Sequence, residues 1–179
     1  GTMSIPENNN GYPDLLDEAR YEMEWMFKML VQSGSYKDMV YHKVHDAAWT
    51  GLALAPADDE ESRVIMPPST AATLNVAACA AQAARLWKGI DDSFASECLD
   101  IAKRTYAAAK ANPSVYAPLV SPTGGGAYGD DDVTDEFYWA ACELYITTGD
   151  TKYKTDLESY SDAYKLTYSL DGGENNGSF

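Results

Sequence analysis

Long apolar runs are missing from this sequence. No stretch approaches the ~18 consecutive apolar residues that mark a membrane-crossing helix. No secretory leader pattern stands at the beginning either, but the opening Gly-Thr-Met suits a cloning scar ahead of an internal or artificial start, so the missing leader does not argue for a cytoplasmic home. Positive charge is scarce: 13 Lys and Arg face 28 Asp and Glu, for a formal net charge of −15. Nucleic acid and anionic membranes would be repelled by such a chain, so neither is an expected partner. Cysteine is limited to Cys79, Cys98 and Cys142, with no CxxC pair, which argues against a zinc site of the usual spacing. Each lies among small apolar residues in a helical pattern and reads as a buried side chain. Whether Cys79 and Cys98 pair stays open.

What is present supports one all-α domain. Hydrophobic residues make up 45% of the 179, enough for a substantial core. Five helices can be read. The first starts after Tyr12, with Pro13 suited to the opening position and Asp14 and Asp17 in the first turn. Leu15, Leu16, Ala19, Met23, Met26, Phe27 and Leu30 form its apolar stripe, and Gly34 ends it. From Tyr36 to Pro68 no long period appears, although MVYHKV and RVIM suit a short strand pair. A connection of that length is often functional.

A second helix, from Ser69 or Thr70 to Trp87, has small residues nearly all round and should pack closely on several sides. A third is expected over 92–112, stopped by Pro113; a fourth over about 132–148; a fifth, amphipathic, over 151–168. An internal repeat links them. Leu86-Trp87-Lys88-Gly89 leads to Asp91-Asp92-Ser93-Phe94, and Leu144-Tyr145, with Gly149, leads to Asp150-Thr151-Lys152-Tyr153. Each unit reads as an inner helix, a glycine turn, an Asp-x-x-aromatic start and an outer helix, as in a toroid of helical hairpins.

Three clusters are candidates for chemistry. Glu18 and Glu22 stand one turn apart on one helix, so they point the same way and cannot flank a substrate from opposite sides. YHKVHDAAW carries His42, His45 and Trp49. These suit structural histidines, a polar substrate cleft with an aromatic wall, or a metal site completed by carboxylates. GGGAYGDDDVTDEF holds three glycines and the acids Asp130, Asp131, Asp132, Asp135 and Glu136. The glycines permit close backbone approach or a sharp turn. The acids suit helix capping or calcium, without the spacing of an EF-hand loop. No P-loop lysine follows, so nucleotide binding is not expected.

Taken in order, PENNNGYPDLLDEARYEMEWMFKM, YHKVH, PPSTAATLNVAACAAQAARLW and GGGAYGDDDVTDEFYWAACELYITTGDTKY resemble glycoside hydrolase family 9 over nearly the whole chain. The resemblance implies an (α/α)6 barrel, incomplete in this chain, and an inverting β-1,4-glucanase, secreted in the parent protein. It divides the chain into an N-terminal extension (1–12), a framework helix (13–34), a cleft loop (35–68), helical hairpins (69–168) and a tail (169–179). It implies substrate binding by His42 and Tyr128, and calcium at Asp135 and Glu136; the residue pattern adds Trp49 as a further cleft aromatic and Asp131 and Asp132 as further calcium oxygens. The family's DAGD-type motif, which carries the catalytic base, and its general-acid glutamate have no counterpart in this sequence. The resemblance therefore implies an internal portion of the catalytic domain, inactive alone, with β-glucan as partner. A non-catalytic glucan-binding or self-associating helical module is the alternative. Inner helices such as TAATLNVAACAAQAA are expected to be exposed in a partial ring and to favour self-association.

Overall fold

In a computed structural model, residues 3–6, 8–118, 124–129 and 131–160 are described. Five α-helices dominate them: α1 (Asp14–Lys28), α2 (Thr70–Trp87), α3 (Asp92–Ala111), α4 (Thr134–Thr148) and α5 (Thr151–Ser159). The fold is all-α, with helical hairpins of the toroid type. The expected continuation of the fifth helix to Tyr168, and the tail after it, lie outside the described residues.

The two hairpins reproduce the sequence repeat. Ser69 caps α2 through Ala72 N–H, and Asp91 and Asp150 cap α3 and α5, accepting from Phe94 N–H and Lys152 N–H at 3.0 Å each. The side-chain oxygen satisfies a helical N–H that has no partner within the helix. Gly149, which ends α4, has φ +69°, a left-handed value that glycine adopts without steric cost. The aromatic that follows each cap, Phe94 or Tyr153, turns inward and is 3% exposed. Phe94 meets Trp87 edge-on at 5.3 Å, and Tyr153 meets Tyr106 at 5.5 Å.

Helix α2 is the centre of the core, packed mainly against α3 and α4. Leu74, Ala77, Ala78, Ala80 and Ala81 have no exposure at all. Small side chains allow this close approach on several sides. Arg85 fastens α2 to α4 by donating to Glu143 and, at 3.1 Å, to Thr147 Oγ1. The expectation that α2 presents an exposed apolar face is corrected here, because its neighbours cover it. Exposed apolar groups stand mainly on α4 (Trp139 and Ile146) and on α1 (Tyr21 and Trp25), with Leu86 alone near the end of α2. Leu15 is 68% exposed, although it belongs to the apolar stripe of α1. The stripe is wider than the edge along which α1 meets α2: Leu16, Met23, Met26, Phe27 and Leu30 reach the core, and Leu15 does not.

Helix α1 is tied down by one side chain above all. The Arg20 guanidinium bonds Glu24 at 2.7 Å and Asp91 at 3.0 Å, and lies 4.3 Å from the centre of the Phe94 ring. Glu18 and Glu22 face outward, so the acidic helix is a framework element.

Between α1 and α2 runs a two-stranded ribbon. β1 (Val40–Tyr41) pairs antiparallel with β4 (Pro68–Ser69), and β2 (Val44–Asp46) with β3 (Arg63–Ile65). Hydrogen bonds from His42 N to Pro67 O and from Met66 N to Lys43 O join the two ladders across the gap. This is the strand pair expected from MVYHKV and RVIM. β4 runs straight into α2, so the ribbon and the inner helix are one continuous support.

Candidate functional site

The site forms where the ribbon meets the glycine-rich segment that precedes α4. His42 follows β1 directly. Its Nδ1 lies 3.1 Å from Ser69 Oγ, the same oxygen that caps α2. One buried hydroxyl thus orients both the helix start and the imidazole. Thr73 extends the arrangement: its Oγ1 accepts from Val40 N–H at 2.9 Å and donates to Ser69 O at 2.6 Å. The position of His42 is fixed by α2, far along the chain.

Burial holds the His42 pKa below its ordinary value of 6.5, and the neighbouring charge of Lys43 acts in the same direction. The backbone of Ala127 and Tyr128 opposes both by favouring the protonated ring. His42 is therefore a neutral imidazole at neutral pH, beside the glycine segment. His45 is held differently, with Nδ1 2.6 Å from Asp46 O.

Residues 124–128 form a strap laid on the ribbon. At Gly124, where φ is +100°, an added Cβ would run into Asp46 O and Ala48 N. At Gly125 it would come within 2.9 Å of the His45 ring, and at Gly126 within 2.7 Å of the Tyr128 ring. The three consecutive glycines are thus a packing requirement of the strap. Tyr128 follows with φ +52°, an uncommon value for a residue with a side chain, and its ring is 77% exposed. The result is a flat, open aromatic surface next to a neutral histidine. Such surfaces suit the apolar faces of sugar rings.

The structure brings together His42, His45 and Tyr128. Trp49 follows Ala48, whose backbone N borders the strap at Gly124. It is 69% exposed and lines a cavity of about 500 Å³ with Leu54, Asp58, Asp59, Glu60 and Glu61. Arg63 braces this loop by pairing with Asp46 and, at 3.5 Å, with Asp59. The sequence signals missed Ser69 and Thr73 as supports of the site. Their only local mark is a Ser-Thr start to a helix.

The acids before α4 do not make a cation site among the described residues. No group of three or more His, Cys, Asp or Glu there is placed to hold a metal ion. Asp132 Oδ1 accepts from Thr134 N and Oγ1 at 3.1 and 2.6 Å, which holds its carboxyl below the usual carboxylate range. Glu136 is buried in the first turn of α4. Asp131, Asp132, Asp135 and Glu136 do not form such a group, and Asp130 lies outside the described residues. The three cysteines are free thiols, and burial pushes Cys98 up to about 12.

Comparison with known proteins gives this geometry a context. The family model for glycosyl hydrolase family 9 matches residues 2–178. Endoglucanase C of Cellulomonas fimi is 54% identical over 156 residues, covering 87% of this chain and 14% of the relative. A cellulose 1,4-beta-cellobiosidase of Acetivibrio thermocellus is 50% identical, covering 99% of this chain and 20% of the relative. A solved Bacteroides ovatus GH9 structure superposes with a TM-score of 0.81 at 32% identity, covering 89% of this chain and 30% of that one. The chain therefore spans between one seventh and one third of the length of these relatives. No helix among the described residues is long and apolar enough to cross a membrane. With its helical hairpins, its strap and its framework helix matched along almost its entire length, the chain belongs to glycosyl hydrolase family 9.

Proposed function

We propose that these residues form one wall of a β-1,4-glucan cleft in a secreted family 9 glucanase. His42 lies along the sugar chain and Tyr128 stacks on a ring. Trp49 extends the wall on the 47–62 loop. The observation that carries this reading is the convergence of the Gly124–Tyr128 strap on the His42–Asp46 ribbon. It gives an open aromatic face beside a neutral imidazole, on elements more than eighty residues apart in sequence. The relatives are an endoglucanase and a cellobiosidase, which supports glucan as the ligand class.

Inversion at a sugar centre needs an acid and a base on opposite sides of the bond, ~6.5–9.5 Å apart. The acids of α1 share one helix, and Asp132 is spent on the start of α4. We assign these 179 residues to substrate binding, without turnover of their own. Affinity electrophoresis through a gel containing soluble β-glucan tests the binding. Retarded migration that is weakened, with a measurable remainder, in Tyr128→Ala and His42→Ala is the expected outcome, and unretarded migration of the unaltered chain refutes the reading. Release of reducing sugar from carboxymethylcellulose by the purified chain would refute the assignment without turnover.

A second reading concerns association. Trp139 and Ile146 on α4, with Tyr21 and Trp25 on α1, give two exposed apolar faces, and such faces recruit partners. We propose self-association of the chain through them. Light scattering that returns only monomer mass would exclude it.

A further inference from the structure

Lys43 is the residue that links the two halves of the site. Its backbone is locked in the ribbon, where Met66 N donates to Lys43 O at 2.9 Å. Its side chain leaves the ribbon and crosses to the strap. There Nζ donates to Gly126 O and lies 5.4 Å from the centre of the Tyr128 ring. The two contacts fall on either side of Ala127, so they bracket the turn that aims Tyr128.

That turn needs an external hold. Tyr128 has a left-handed φ of +52°, which an L-residue keeps only when its surroundings impose it. The ring is 77% exposed, so core packing does not impose it. The ring folds back over Gly126, where even a methyl group would collide with it. A fixed ammonium supplies what packing does not. The carbonyl bond anchors the strap at Gly126, and the attraction between cation and ring orients the aromatic. With the ammonium on one face, the opposite face is left for a sugar.

We propose that Lys43 is a positioning residue for glucan binding, acting through Tyr128 by clamping the strap in its left-handed turn. This rests on the reading of Tyr128 as a sugar platform. The test uses the 179-residue chain with Lys43→Met, Lys43→Arg, Tyr128→Ala and the double variant Lys43→Met/Tyr128→Ala. Two measurements separate the two ideas. Amide hydrogen exchange of residues 124–129 reads the clamp without any ligand, and retardation in soluble β-glucan reads the platform.

Lys43→Met should speed exchange of the strap severalfold while leaving α2 and α3 unchanged, and Lys43→Arg should restore protection. Lys43→Met should weaken glucan retention about twofold to fivefold, the scale of one exposed cation–ring contact. The double variant should be no weaker than Tyr128→Ala alone, and Lys43→Arg should recover most of the affinity. Unchanged strap exchange in Lys43→Met overturns the clamp, whatever happens to glucan. A double variant weaker than Tyr128→Ala by the full Lys43→Met factor shows that Lys43 does not act through Tyr128. Normal glucan retention by Tyr128→Ala refutes the platform and the glucan role of Lys43, while the exchange data still decide whether the clamp exists.

Discussion

Replacing Thr73 by valine tests how the ribbon is held to the inner helix. The two side chains have nearly the same shape, so the change removes a hydroxyl and leaves the packing. Thr73 has no exposure and Val40 is 3% exposed, so water cannot replace the lost Oγ1 as the acceptor of Val40 N–H. A buried donor stranded in this way costs roughly 1–3 kcal/mol, against a net gain near 1 kcal/mol for an ordinary hydrogen bond. We expect about 2 kcal/mol of lost stability. For a chain of this size that lowers Tm by about 4–8 °C. Thr73→Ser is the control, because it keeps the hydroxyl and deletes one methyl group, at a cost of about 1 kcal/mol. Urea denaturation gives the two costs, and hydrogen exchange over 36–43 locates them. Val40 N–H should lose protection in Thr73→Val and keep it in Thr73→Ser. His42 is two residues beyond Val40, so glucan retention should fall in the valine variant alone. A valine variant as stable as the unaltered chain, with Val40 still protected, would show that α2 does not hold the ribbon through this hydroxyl.

Other outcomes follow from the same geometry. The depressed pKa of His42 means that the unfolded chain binds more protons than the folded one just below pH 6.5. Stability from this group is therefore complete above that pH and is lost as pH falls toward the folded value. His42→Gln should shrink the difference between urea midpoints measured at about pH 7.5 and 5.5; an unchanged difference contradicts the burial argument. Cys98, unexposed and pushed up to about 12, should resist a thiol-specific reagent until the chain unfolds, after half-buried Cys79 and Cys142 have reacted. Mass spectrometry of partly labelled protein checks the order, and early labelling of Cys98 would be the contrary result. Gly124→Ala places a methyl group against Asp46 O with φ at +100°, so the strap must lift from the ribbon. Glucan retention should drop with little change in unfolding temperature, and normal retention would mean that the strap tolerates displacement.

The helices were legible because each carried its own local signals. Asp91 and Asp150 announce helix starts wherever they occur, and Gly149 announces an end. The alanine-rich segment 70–87 told the truth about close packing, and its burial followed from the same composition. Its neighbours were harder to read. The expectation of exposure for α2 treated the partial ring as an opened wheel with bare inner spokes. Yet α3 and α4 together with α1 cover that helix, and the bare surface moves outward to Trp139, Ile146, Tyr21 and Trp25. Leu15 fails for a related reason: periodicity reports which residues share a face, and the width of the neighbour decides how much of that face is covered.

The candidate site was legible in its parts and hidden in its assembly. His42 and Tyr128 stand out by residue type, but nothing local to either places one beside the other. The link is made by unremarkable residues: a serine that caps a helix and also meets an imidazole, a threonine that receives a strand N–H, a lysine that reaches a carbonyl 83 positions away. Each contact is the side effect of a structural job. Ser69 had to cap α2, and the ribbon had to run into that cap, so His42 arrives at a fixed distance from the helix start. The strap then needs three residues without side chains, because its path crosses the backbone at Asp46 and the ring at His45. The glycine run is thus the imprint, on one part of the chain, of a surface formed by another. A run of glycines ahead of a helix specifies close approach, and only the fold supplies what is approached.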